Sequence, residues 1–252
     1  MAVGSQRIMI DHPEKSSHFK VRQWAPDVLL FANLGAVQLN YSYTIEHCKA
    51  AIDSIEADGL ILHLNPLQEA LMNEGETNFK GLLKKIDVVC KQINVPVIVK
   101  EVGWGINGIV ARQLIEAGVQ AIDVAGAGGT SWSEVEKYRS NDPAAILVAE
   151  GFREWGIPTV QAIEDIKRTC PGATIFASGG LRNGIDVIKS IALGASIAGM
   201  ARGFLLAASE SIEKANMITL VILDQMRITM FAAGVKNLKS LNNQLIVREK
   251  RS

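Results

Sequence analysis

A chain of 252 residues, 48% hydrophobic and 21% charged, is long enough to bury one large core, and a single domain spanning residues 1–252 is the expectation. Lys plus Arg and Asp plus Glu both number 26, so the net charge is zero, and neither a nucleic-acid surface nor a polybasic membrane patch is expected. Three cysteines, Cys48, Cys90 and Cys170, lie far apart without a CxxC or metal-ligand spacing, which argues against a disulfide framework and for reduced thiols in a cytoplasmic protein.

The opening, MAVGSQRIMIDHPEK, lacks a basic segment followed by an apolar one, so it does not read as a leader. Met1 to Ser5 reads as the tip of a strand, and Gln6 to Arg22 as helix or loop. Apolar runs then recur, each ending in a polar residue or glycine: Val28 to Leu34, Gly59 to Asn65, Val97 to Glu101, Ala121 to Val124, Thr174 to Ala177 and Ala195 to Ala198. Near-continuous apolar strands of this kind belong to a parallel sheet buried on both faces. Between them, Ile45, Cys48, Ile52 and Ile55 fall on one helical face, as do Val110, Leu114 and Ala117, and Ile185, Ile188 and Ala192. Gly118 and Gly194 read as helix C-caps feeding the next strand. Ser209 to Gly234 reads as one closing helix, and the tail to Ser252 as polar and frayed. Its longest apolar stretch, Met217 to Leu223, is far shorter than the roughly 20 residues a membrane span needs.

Repeated βα units, with no GxGxxG opening a helix, favour the α/β class and a (β/α)8 TIM barrel over a doubly wound sheet. Six strands and a stub fall short of eight, so the barrel reads as incomplete at its N-terminus. Barrel chemistry sits at the C-terminal ends of the strands, which makes Asn33, His63, Asn65, Lys100, Asp123, Thr130 and Arg182 the candidates. Alternation puts Lys100 and Glu101 on opposite faces, and Lys100 is the one favoured for the interior.

The segment from Ser178 to Arg202 reads as a phosphate grip. Two glycine-bearing strand ends, Ser178-Gly179-Gly180 and Gly199-Met200-Ala201, flank one amphipathic helix, and glycine lets backbone N–H groups approach an anion. Gly126-Ala-Gly-Gly-Thr-Ser131 is a second N–H-rich loop, suited to a phosphate or a flavin edge, or else a plain surface loop. In His63-Leu-Asn-Pro-Leu-Gln-Glu69, Pro66 turns the backbone so that Gln68 and Glu69 can return over the strand ends. There Glu69 could hold Mg²⁺ beside a substrate phosphate, or simply occupy the first turn of the next helix. His63 reads equally as a satisfied, half-buried histidine. Trp104 and Trp132, each just past a strand end, wall an apolar pocket or pack in the core. No Ser-His-Asp order, paired histidine ligands or HExxH is present.

Together, Gly4-Ser-Gln-Arg7, Ala32-Asn-Leu-Gly-Ala-Val-Gln38, His63-Leu-Asn-Pro-Leu-Gln-Glu69, Glu74-Gly-Glu76, Lys100-Glu-Val-Gly103, Gly128-Gly-Thr-Ser-Trp132 and Ser178-Gly-Gly180 resemble the type 2 isopentenyl-diphosphate isomerases. The resemblance covers essentially the whole chain, and HLNPLQE is its most discriminating piece. It implies an FMN-dependent (β/α)8 enzyme interconverting isopentenyl and dimethylallyl diphosphate, with reduced flavin as acid–base agent, Mg²⁺ on the diphosphate and a reduced nicotinamide (NADPH) as electron donor. It implies FMN contacts from Ser5, Asn33, Lys100, Thr130, Gly180, Leu181, Arg182, Ala201 and Arg202. It implies contacts to the small-molecule diphosphate substrate from Ser5, Gln6, Arg7, His63, Asn65 and Gln68, catalytic parts for His63 and Gln68, and Glu69 as the metal ligand. A homo-oligomer is expected as well.

The family's basic Arg-Lys segment and its first strand, which ends in a Met-Thr-Gly-Gly-like loop, have no counterpart here, and Met1 falls where the family's second strand is ending. A shortened chain, a split protein or a non-catalytic FMN-binding remnant would each account for this. An FMN barrel oxidising a 2-hydroxy acid is the other enzymatic alternative. It would want a histidine base at a late strand end, whereas the histidines are His12, His18, His47 and His63.

Overall fold

The computed structural model describes residues 1–247, and the backbone divides into two compact units. Residues 248–252, the end of the tail expected to fray, lie outside the described residues.

The first unit comprises Met1–Val102, Ile109–Asp123 and Trp132–Glu154. It begins with a short helix α1 (Arg7–Asp11) and 3-10 turns at Pro13–Phe19 and Arg22–Trp24. Then come β1 (Phe31–Gly35), α2 (Ile45–Asp53), β2 (Gly59–His63), α3 (Pro66–Leu71), α4 (Leu82–Gln92), β3 (Val97–Lys100), α5 (Gly108–Glu116) and β4 (Ala121–Asp123), followed by α6 (Trp132–Arg139) and α7 (Pro143–Glu150). Strands β1 to β4 are parallel and pair in chain order. Leu30, Ala32, Leu60, Leu62, Val97, Val99 and Ile122 are wholly buried, as near-continuous apolar runs require when both faces of a sheet are covered. The register aligns Gly35, His63, Lys100 and Asp123 in one row across the strand ends.

The expected stub is present as a parallel bridge of Ala2 to Phe31, with Val3 N–H donating to Phe31 O at 3.2 Å and Phe31 N–H to Met1 O at 2.8 Å. Strand β1 starts three residues later than the apolar run suggests. The Arg22 guanidinium takes the Val28 carbonyl at 2.9 Å, while Asp58 Oδ2 takes the Leu30 amide at 2.8 Å, so side chains occupy groups a ladder would need. Val28 and Leu29 are exposed in consequence. In α2, Cys48 and Ile52 are buried as expected and Ile45 is half-buried, while Ile55, also buried, lies just beyond the helix end.

The second unit comprises Gly103–Gly108, Val124–Ser131 and the described residues from Trp155 onward. It holds α8 (Thr159–Thr169), β5 (Ile175–Ala177), α9 (Gly184–Ala192), β6 (Ile197–Ala198), α10 (Arg202–Glu210) and α11 (Ile212–Ala232). Strands β5 and β6 are parallel, and the backbone following β4 runs beside β5 through Val124 N–H to Phe176 O and Gly126 N–H to Ser178 O, both 3.0 Å. Gly118 and Gly194 sit at φ +91° and +114° just past their helices, the left-handed C-cap geometry read from the sequence.

Two expectations for this unit change. Ile185 is exposed, and α9 instead buries Gly184, Val187, Ile188, Ser190 and Ala192, because a Cβ on Gly184 would meet the Ile222 carbonyl of α11. The expected closing helix is present as α11, but it starts at Ile212 rather than Ser209, because the Ser211 hydroxyl caps the Lys214 amide at 3.1 Å and begins the helix there. Among the described residues, no helix is long and apolar enough to cross a membrane.

Candidate functional site

In the first unit the strand-end row supplies the first cluster. Asn33 Nδ2 donates to the Val3 carbonyl at 3.0 Å, which turns its Oδ1 toward His63 Nδ1 at 2.9 Å. That oxygen can only accept, so His63 carries its proton on Nδ1 and leaves Nε2 as an acceptor. Burial, with Lys100's positive charge adding to it, pushes the His63 pKa down to about 4, so the ring is neutral at ordinary pH. Lys100 is half-buried, with its ammonium on the Glu101 carbonyl at 2.7 Å. Glu101 is buried, and its Oε2 takes the Val102 amide at 2.7 Å.

The segment after β2 supplies the second cluster. Pro66, whose missing N–H costs nothing in a first turn, opens α3 and carries Gln68 and Glu69 in its first turn. Glu69 therefore does lie in the first turn of a helix, but it is 6% exposed rather than solvated. Its Oε1 accepts from Asn65 Nδ2 at 2.8 Å and its Oε2 from the Glu76 amide at 2.7 Å. Gly75 lets that strap approach, since a Cβ there would collide with the Glu69 carbonyl. Gln68 Oε1 accepts from Asn65 Nδ2 at 3.3 Å, and Gln68 Nε2 donates to Glu136 Oε1 at 3.1 Å. Asn65 is 5% exposed, and its Oδ1 is a buried acceptor without a partner. Glu136, on the buried face of α6, went unseen in the sequence because it belongs to no motif. Its position one helical turn before Arg139, which it pairs at 3.4 Å, was the only signal.

Arg7 lies on α1, half-exposed, with Nη1 and Nη2 on the two oxygens of Glu76 at 3.0 and 3.4 Å and Nε 3.5 Å from Asp11. Ser5 is exposed, its Oγ 3.5 Å from the Arg7 amide. Gln6 departs from expectation. It is wholly buried, donating to Ala51 O at 2.9 Å and Ser54 Oγ at 3.2 Å and accepting from the Asn33 amide at 2.9 Å. Its amide fixes the chain against β1 and the end of α2.

In the second unit, two glycine turns interlock. Gly179 and Gly180 adopt φ +101° and +86°, and a Cβ on either would strike the Gly126 or Gly128 backbone. Thr159 Oγ1 donates to the Ser178 and Gly179 carbonyls at 3.2 and 2.5 Å, tying the turn to the start of α8. Leu181 is half-buried and Thr130 exposed. The Arg182 amide is already engaged by Asp186 Oδ2 at 2.9 Å, so Arg182 can offer only its exposed guanidinium to an anion. Ala201 is the N-cap of α10 and supplies no side-chain cap, and Arg202 beside it is exposed, so the positive end of that helix faces outward. Trp104 is buried at 5% exposure and packs against Gly156, core rather than pocket wall.

These features fit the groups the resemblance implies. Two glycine turns packed directly on each other's backbone, beside a helix end without a side-chain cap, bring free backbone close enough to suit the phosphate of FMN. Glu69 with the orphaned Asn65 oxygen suits a hard cation that takes one carboxylate plus substrate phosphates. Among the described residues no group of three or more His, Cys, Asp or Glu could hold a metal unaided.

Known proteins bear on the same residues. The model of the FMN-dependent dehydrogenase family matches residues 52–248. An isopentenyl-diphosphate delta-isomerase of Nostoc sp. is 50% identical over 243 residues, which cover 96% of this chain and 69% of that protein. Another, of Oceanobacillus iheyensis, is 47% identical over 243 residues, covering 96% of this chain and 70% of that protein. Among solved structures, a mandelate oxidase variant superposes with a TM-score of 0.62 at 17% identity, covering 96% of this chain and 76% of that one. A lactate oxidase of Pediococcus acidilactici gives 0.59 at 19%, covering 86% and 60%. The oxidase likeness carries the fold alone, an α/β fold of the (β/α)8 barrel class. The chain belongs to the FMN-dependent dehydrogenase family and, within it, to the isopentenyl-diphosphate delta-isomerases.

Proposed function

We propose that the chain isomerises isopentenyl diphosphate to dimethylallyl diphosphate, with reduced FMN as acid–base cofactor, Mg²⁺ on the diphosphate and NADPH as reductant, in isoprenoid biosynthesis. The observation that carries this reading is the cluster after β2. There a buried Asn65 oxygen without a partner, the Glu69 carboxylate and an oriented Gln68 amide stand at one strand end. Such a set serves a phosphorylated, cation-bound substrate better than a 2-hydroxy acid, whose oxidation wants a histidine base.

Each group has a part that its surroundings support. Arg7 holds the diphosphate, joined by Ser5; Asn65, whose Nδ2 is taken by Glu69 and Gln68, meets the substrate through its cation at Oδ1, and neutral His63 presents Nε2 as an acceptor. Glu69 holds Mg²⁺. Gln68, fixed by Asn65 and Glu136, positions the reacting alkene and its proton, because a carbocation-like centre tolerates neither a loose acid nor free water. By the resemblance, Ser5, Asn33, Lys100, Thr130, Gly180, Leu181, the Arg182 guanidinium, Ala201 and Arg202 are assigned to FMN. When bound, reduced flavin supplies the proton-transfer chemistry that no side chain here offers. A single 252-residue domain, a homo-oligomeric state and a cytoplasmic location complete the proposal.

The test is to purify the chain, record its flavin absorbance, and follow isomerisation with FMN, NADPH and Mg²⁺. Conversion that needs both reduced flavin and the cation is expected. Yellow protein that leaves isopentenyl diphosphate unchanged, and stays inactive when an N-terminal piece from a relative is added, would replace this reading with a flavin-binding remnant. Dye reduction by a 2-hydroxy acid would replace it with an oxidase.

A further inference from the structure

Arg7 is the one guanidinium assigned to the diphosphate, yet its charge is already taken. Nη1 and Nη2 lie on the two Glu76 oxygens at 3.0 and 3.4 Å, and Nε lies 3.5 Å from Asp11. Both carboxylates are themselves held. Glu76, with a side chain only 19% exposed, also accepts from Gln38 Nε2, and Asp11 Oδ1 accepts from the Tyr43 hydroxyl at 2.8 Å. One cation thus faces two anions, and a diphosphate arriving at Arg7 meets net negative charge. The Glu76 backbone adds a second link, because its N–H occupies Glu69 Oε2 at 2.7 Å.

We propose that Glu76, assisted by Asp11, is an anionic latch on Arg7 that the substrate diphosphate must displace. This deepens the isomerase reading and rests on Arg7 meeting the diphosphate. In the latched state Arg7 is neutralised and Glu69 is tied through the Glu76 amide. When the diphosphate takes Arg7, the Glu76 carboxylate leaves and the Gly75–Glu76 strap shifts, which frees Glu69 Oε2 for the cation. One residue therefore makes diphosphate and Mg²⁺ binding mutually favourable, and each ligand weakens the same latch. The latch also discriminates. A carboxylic acid carries a single negative charge, too little to displace a paired carboxylate, so it leaves Arg7 paired.

The test uses inorganic pyrophosphate as probe, titrated calorimetrically into the full chain in EDTA so that no cation contributes. The latch predicts that Glu76→Gln binds pyrophosphate about tenfold more tightly than the wild type, the effect of removing one unit charge some 4 Å from a polyanion in a near-aqueous medium. Asp11→Asn, acting through the longer contact, tightens binding less, and keeps the test alive should Glu76→Gln fail to fold. Arg7→Ala lowers pyrophosphate binding in every background. Weaker or unchanged binding in Glu76→Gln, with Arg7→Ala still impaired, overturns the latch and makes Glu76 a support that orients Arg7. Binding unaffected by Arg7→Ala overturns both the latch and the assignment of Arg7. An isomerase-inactive chain that shows the expected order of affinities keeps the latch and removes only the reaction.

Discussion

Gln68 and Glu136 meet across the first unit through one hydrogen bond, Nε2 to Oε1 at 3.1 Å, while Asn65 Nδ2 addresses the other end of the same amide. The two contacts fix which atom of the Gln68 amide faces which way, since Glu136 can only accept while it is ionised and Asn65 Nδ2 can only donate. Glu136→Gln permits the amide to flip, and Glu136→Ala releases it. Both are expected to lower kcat about 10- to 100-fold with KM and flavin content little changed, the usual scale for losing the partner that orients a working group. A matching loss of bound flavin would instead make Glu136 a general support of the fold.

The cradle of the second unit makes a steric prediction. Ala at Gly179 or Gly180 places a Cβ into the backbone of Gly126 or Gly128 and demands a positive φ that L-residues adopt at a cost of about 1–3 kcal/mol. The turn must open, so FMN retention after gel filtration should fall sharply in either variant. Thr159→Val removes the hydroxyl that holds the Ser178 and Gly179 carbonyls and should weaken FMN binding more mildly. Normal flavin content in Gly180→Ala would move the phosphate elsewhere.

What the residues alone disclosed, and what they hid, follows from how local each feature is. Parallel strands, the Gly118 and Gly194 caps and the glycine turns are written within a few residues, by apolar runs and by backbone angles only glycine takes easily. The start of β1 was hidden because it depends on Arg22 and Asp58, side chains that seize backbone groups from outside the run. The surroundings of Gln6 were hidden for a related reason: a motif glutamine looks the same whether its amide meets a ligand or Ala51, Ser54 and Asn33. Glu136 escaped because its partner lies 68 residues away. The start of α11 after Ser211 was legible in principle, as serine is a preferred N-cap, but Ser209 two residues earlier offered the same signal.

His63 gives a pH prediction with a definite sign. Its pKa of about 4 in the fold lies below the roughly 6.5 of an unfolded histidine, so the fold prefers the neutral ring. That preference is fully present above pH 6.5 and is lost as pH falls toward 4, with an upper limit of about 3 kcal/mol. Urea unfolding at pH 7.5 and pH 4.5 should show the loss, and His63→Asn should flatten it. An unchanged slope in the variant would assign the acid sensitivity to the carboxylates.

Glu69 offers the sharpest separation of roles. Both of its oxygens accept, from Asn65 Nδ2 at 2.8 Å and from the Glu76 backbone N–H at 2.7 Å; the N–H cannot reverse, and Asn65 can turn its amide only by giving up Gln68. In Glu69→Gln one of these donors must face an NH₂ group, so the variant should lose about 1–3 kcal/mol of stability through one spoiled buried hydrogen bond. It should also lose the carboxylate charge on which the proposed Mg²⁺ site depends, so that added Mg²⁺ no longer strengthens substrate binding. Flavin should stay bound, because the glycine cradle belongs to the other unit and draws on none of these contacts. The three readouts are a thermal melt, substrate titration with and without Mg²⁺, and the visible spectrum. A destabilised variant whose substrate binding still responds to Mg²⁺ would make Glu69 a purely structural carboxylate that caps the Gly75–Glu76 strap, and the cation would have to be held by the diphosphate and other oxygens.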